Sequence, residues 1–165
     1  QPGGRASGWL ACAAAAALCN LMGDWHVGRP LLRRLPLMLY AVYACMALGY
    51  ALIGTALLAG GPGASAGRHL LTVGAIGLSI YAVICIAGRA HCGHASDERP
   101  WVAQGAVLII AGALLRAGAA FVPDVASVLL GLAGLCWVGA IGLLCWRIAP
   151  VLWRARPDGL GGCQG

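Results

Sequence analysis

Residues 69–88 read HLLTVGAIGLSIYAVICIAG, and this stretch decides the fold. It carries no charged side chain, and Arg68 and Arg89 bound it. The hydrocarbon core of a bilayer takes about 20 apolar residues of helix, which is the length of this run. In lipid, backbone N–H and C=O groups must be satisfied within the segment or in a closed barrel. A barrel strand needs period-two alternation, which the run lacks, so it reads as a membrane-crossing helix.

The rest of the chain repeats the pattern. Of 165 residues, 61% are hydrophobic and 10% charged, and the mean hydropathy is +0.84. A water-soluble domain carries about 25% charged residues. Apolar runs at 8–22, 35–60, 101–121 and 125–146 join 69–88 to give about five spans. The fold class is therefore all-α, a polytopic transmembrane helix bundle occupying 1–165 as one unit, with a tail at 149–165. The expected connectors are the opening stretch, DWHVGRPLLRR, GPGASAGR, the polar GRAHCGHASDERP and the tight FVPD. The first apolar run lacks an A-x-A cleavage site and is read as a span, not a leader. The chain begins at Gln1, which leads us to expect a piece of a longer protein.

Arginine sets the orientation. All 11 basic residues are arginine. Arg29, Arg33, Arg34, Arg89, Arg99, Arg147, Arg154 and Arg156 fall at one end of the spans. Arg5, Arg68 and Arg116 fall at the other. The richer end is expected to face the cytoplasm, with the C-terminal tail. The net charge of +6 is mostly this bias and suits an anionic lipid surface. No nucleic-acid motif, P-loop, nucleophile elbow, paired catalytic carboxylates or GxGxxG is present, so a stand-alone enzyme is not the expectation. Six of the 8 cysteines lie in apolar spans, where cysteine behaves as a small hydrophobe. Cys92 and Cys163 fall on the reducing side.

The polar residues sort by end. His26, His91, Cys92 and His94 lie at the arginine-rich end, with Tyr40 near the start of the second span. His69, Arg68, Arg116 and Asp124 lie at the other end. A helix of about 30 Å separates His69 from His94, so one metal ion cannot take both within one chain. His91 and His94, with Cys92, are metal-ligand types on one helical turn; the alternative is a polar helix end. Arg116 either snorkels to the headgroups or pairs with an anionic group. Gly74, Gly77, Tyr81, Cys85 and Gly88 form a small-residue stripe that serves either helix packing or a flat cofactor. The tryptophans at 101, 137, 146 and 153 read as interfacial or packing residues.

These residues resemble a known family. HLLTVGAIG at 69–77, followed by Arg89 and by Gly93 and His94, is similar to the NnrS signature, H-A-L-T-V-G-A-I-G and then R-V-x-L-G-H-T-G-R-P. Tyr43 and Ala44, with Leu48 and Gly49, resemble its G-Y-A-W-x-P-L-G stretch. Ala149, Pro150, Val151 and Leu152, with Arg156, Pro157, Asp158 and Gly159, resemble its closing Y-A-P-x-L…R-x-D-G-x-P-G. The order holds over nearly the whole chain. The resemblance implies a bacterial cytoplasmic-membrane protein, of which this chain is the C-terminal part, carrying haem (b-type) and copper and tied to nitric oxide metabolism, denitrification and protection from nitrosative stress. It marks His69, His94, Arg89, Arg116, Gly74 and Gly77 as cofactor-binding, and His69 and His94 as metal ligands. Its partners are the lipid bilayer and the missing N-terminal helices or another membrane subunit.

The departures are local. The family histidine of L-H-L-G-Y-A-W is Tyr40 here, and tyrosine is a rarer haem ligand. T-G-R-P becomes Ala95, Ser96, Asp97, Glu98, Arg99 and Pro100, an insertion of two residues, and His91 and Cys92 enter between Arg89 and Gly93. We expect His91 and Cys92 to compensate as metal donors for the histidine absent at 40. The competing reading is a cofactor-free spanning module, either a transporter half or an assembly partner, or a truncated remnant of the family. The spans are continuous and poor in mid-depth polar residues, which weighs against transport.

Overall fold

The computed structural model describes residues 2–24, 28–97, 99–159 and 161. Among these there is no strand, and five helices are long and apolar enough to cross a membrane. They are α1 (Pro2–Asp24), α2 (Arg34–Ala59), α3 (Gly63–His91), α4 (Pro100–Gly118) and α5 (Ala126–Trp153). Short 3₁₀ turns at Arg29–Leu32 and Pro123–Val125 lead into α2 and α5. His26, Glu98 and Cys163 lie outside the described residues. The chain zigzags: α1 packs on α2, α2 on α3, α3 on α4, and α4 pairs with α5. Central α3 touches α2, α4 and α5.

Small residues set these contacts. Apolar burial drives helices together in water but not in lipid, where close packing must do it. Gly8 of α1 faces Gly54 of α2, and a Cβ on Gly54 would lie 2.6 Å from Cys12 Sγ. Gly63 and Gly67 form a G-x-x-x-G pair on α3. A Cβ on Gly63 would meet Leu52 O at 2.8 Å, and one on Gly67 would clash with Gly49 O. On the other side of α3, the Tyr81 ring fills the space left by Gly105 of α4. The Tyr81 hydroxyl donates to Val102 O at 3.1 Å and approaches Trp101 O at 3.3 Å. Tyr81 is 1% exposed and anchors the core with Leu78, Cys85, Val102 and Ile109.

Two expected boundaries move. The stretch GPGASAGR is expected to be a connector, but only its first residues turn. From Gly63 it is helix, because G-x-x-x-G lets these turns lie against the α2 backbone. The last span is expected to end at Trp146, but α5 runs on to Trp153 with Pro150 inside it. Ile148, in the first turn of this extension, is buried in the core.

Helix α3 is also not a uniform α-helix. Leu70–Ile76 and Ile84–Gly88 wind with the wider π repeat. A regular helical spacing would put Gly88 on one face with Tyr81 and Cys85. The second π segment takes up extra chain, and Gly88 is only half-buried while Tyr81 and Cys85 stay in the core.

Gly105→Ala places a methyl group where the Tyr81 ring stands, in a core that is already full. Overpacking of this kind costs about 1–3 kcal/mol. The thermal unfolding midpoint in mild detergent is therefore expected to fall for Gly105→Ala, whereas Gly131→Ala, with open space around its Cβ position, leaves it unchanged.

Candidate functional site

The polar residues gather at both ends of the bundle. At the end where α3 begins and α4 finishes, His69 stands half-buried in the second turn of α3. Arg68 precedes it on the same turn, and Arg116 lies half-buried in the last turn of α4. Packing of α3 against α4 puts His69 and Arg116 at the same end of the bundle across a long sequence separation. One imidazole and two guanidiniums thus share this end of the bundle. Asp124 lies exposed in the turn before α5.

The stripe along α3 is occupied by protein. A Cβ on Gly74 would lie 3.0 Å from Cys45 Sγ and 3.4 Å from the Ala113 Cβ. One on Gly77 would lie 2.9 Å from the Trp137 ring. These glycines admit neighbouring side chains from α2, α4 and α5. Trp137 thus packs, as does Trp101, which is 3% exposed, while Trp146 and Trp153 project from the surface.

At the opposite end, the loop after α3 is built around one carboxylate. Asp97 is 6% exposed. Arg99 Nε–H donates to both of its oxygens at 2.9 Å, and the Arg99 backbone N–H donates to Oδ1 at 3.0 Å. The Trp101 indole N–H donates to Oδ2 at 3.0 Å, and Arg89 Nη1 stands 3.6 Å from the same oxygen. The side-chain-to-backbone bond is an Asx turn that delivers the chain to Pro100 at the start of α4. The Arg99 guanidinium, above all, holds the Asp97 carboxyl well below the usual carboxylate range; burial opposes it, and the Arg99 N–H and the Trp101 indole assist.

The G-H pair at 93–94 has a backbone role. Gly93 N–H donates to Ala90 O and His94 N–H donates to Arg89 O, both at 3.0 Å. Gly93 has φ +74°. This is the Schellman end of α3, with glycine at the left-handed position. Arg89 Nε–H donates to Ala95 O at 3.0 Å and ties the loop back to the helix. The C-terminal segment docks here too. Arg156 Nη1–H donates to His91 O at 2.8 Å, and Arg156 forms a two-pronged pair with Asp158 at 2.9 and 2.6 Å. The Asp158 carboxylate sits where a Cβ on Gly93 would be.

Of the sequence-predicted donors here, the His91 side chain is exposed and those of Cys92 and His94 are half-buried. Among the described residues no three His, Cys, Asp or Glu side chains converge on a metal position. Tyr40 is half-buried in α2. Sequence reasoning missed Asp97 and Trp101 as the centre of this end. The signal was present as D-x-R-P ahead of an apolar run, an Asx turn into a proline-started helix.

Asp97→Asn tests the centre. The folded carboxyl titrates below its ordinary 3.8, so its stabilisation is fully present above that value and is lost as pH falls below it. The wild-type unfolding midpoint is expected to drop on acidification below about pH 4. The variant is expected to be less stable by about 1–3 kcal/mol at neutral pH and to lose that acid-dependent component.

Comparison with known proteins gives one result. The family model described as NnrS protein matches residues 2–156. No curated protein and no solved structure matches.

Proposed function

Because the chain belongs to the NnrS family, we propose that it is a haem-binding integral membrane protein of nitric oxide metabolism and of defence against nitrosative stress. What supports this most, besides the family, is that His69, Arg68 and Arg116 share the end of the bundle where α3 begins and α4 finishes. His69 would hold haem through its imidazole, and Arg68 and Arg116 would offset the carboxylates with paired donors. His69, Arg68 and Arg116 fit both roles at one bundle end. When bound, haem iron supplies a coordination position for a small diatomic ligand such as nitric oxide. The chain's own contribution is to hold the imidazole in a helix turn and to offset the anionic groups beside it. The packed apolar body of α3 and α4 excludes water below them. The protein acts in the bacterial cytoplasmic membrane, with the arginine-rich end and the tail in the cytoplasm.

Copper fits this chain less well. Its expected donors, His91, Cys92 and His94, do not converge with a third donor group among the described residues.

The test is an absorption spectrum of the chain purified in mild detergent from haem-replete cells. A Soret band is expected, lost in His69→Ala and weakened in Arg116→Ala, with the unfolding midpoints of both variants close to that of the parent. A band that persists unchanged in His69→Ala, or no band even when the chain is co-expressed with further helices of the family, overturns the proposal.

A further inference from the structure

At the arginine-rich end, an open groove of about 610 Å³ runs down the outside of the bundle where the starts of α2 and α4 meet α5. Its lining changes character with depth. Arg34, at the first residue of α2, stands at the mouth beside Pro100. Gln104, an exposed amide, follows about one helical turn further along α4. Below it the walls are Val107, Leu108 and Leu143. Val107 is 63% exposed. Arg34 is exposed, and its guanidinium makes no hydrogen bond or ion pair with any described residue.

The order of these groups matches one class of molecule. A phospholipid presents a charged phosphate, then ester carbonyls that accept hydrogen bonds, then an acyl chain. The groove presents a guanidinium that no described residue pairs with, then a side-chain amide able to donate, then an apolar wall, in the same sequence and direction. Arg33 precedes Arg34 in the sequence, so this side of the mouth carries two arginines. Basic sites between transmembrane helices take anionic headgroups for this reason. We propose that the groove is a binding site for one anionic phospholipid, with its phosphate on Arg34, its ester region at Gln104 and an acyl chain along Val107, Leu108 and Leu143. The site is separate from His69 and Arg116, which lie at the other end of the bundle.

Native mass spectrometry of the full chain released from detergent tests this, with phosphatidylglycerol and phosphatidylcholine as probes. Retention of one phosphatidylglycerol per chain is expected under conditions that strip phosphatidylcholine. Arg34→Gln is expected to weaken retention about fivefold. Val107→Trp, which fills the groove from its exposed wall, abolishes retention with the unfolding midpoint unchanged. Arg5→Gln makes the same charge change at the other end and leaves retention intact. Equal retention of the two lipids overturns the proposal. So does an equal loss in Arg5→Gln and Arg34→Gln, which means general charge attraction. Displacement by inorganic phosphate overturns it by showing that the apolar wall contributes nothing. A lipid-free dimer that Val107→Trp dissociates overturns it by placing a second copy in the groove.

Discussion

The close approach of helices at glycine is the constraint on which the rest of this structure depends. In lipid, apolar side chains gain little by leaving the lipid tails for one another, so dispersion contacts between closely fitted backbones must hold the bundle. Gly54 opens α2 to Cys12 of α1. Gly63 and Gly67 bring the start of α3 onto the α2 backbone, and Gly105 of α4 receives the Tyr81 ring. These contacts make α3 the central helix. They also pack α4 against α3, with Arg116 and His69 at the same end.

The charged groups follow a different rule. A carboxylate shielded from water is costly unless its lone pairs are taken. Asp97 meets this with two guanidiniums, an indole N–H and a backbone N–H. Those partners come from the end of α3, the loop and the first turn of α4, so one carboxylate sets the angle at which α3 hands over to α4. The C-terminal segment is tied to the same loop through Arg156 and His91 O. The stretch 88–100, which gathers so much titrating chemistry, therefore serves as the joint of this end of the bundle, and its Gly93 and His94 are placed by the stop signal of a helix.

Helix winding links the two ends. The π segments of α3 begin one residue after His69 and end one residue before Arg89. Wider turns shift the phase of the helix, and Gly88 is half-buried while Tyr81 and Cys85 stay in the core. Wide turns of this kind are frequent at functional sites, and here one starts beside the imidazole that carries the proposed function.

The sequence by itself determined the class of the molecule. Uninterrupted apolar runs of bilayer length permit only helices, because backbone polar groups must be satisfied inside the segment. The family was legible for a similar reason, since its signature is a continuous stretch of α3 and the loop after it. The sequence also sorted His69 and Arg116 to one end and His91 and His94 to the other, because helix rise alone separates them. It misread GPGASAGR as a connector because glycine and proline punctuate structure in water, whereas at a helix seam in lipid glycine is a contact residue. Only the tertiary structure decided which neighbour fills each glycine, that Trp101 turns inward to Asp97, and that α3 leaves the regular helical phase. Those outcomes depend on which side chains meet across different helices, and no local spacing encodes that.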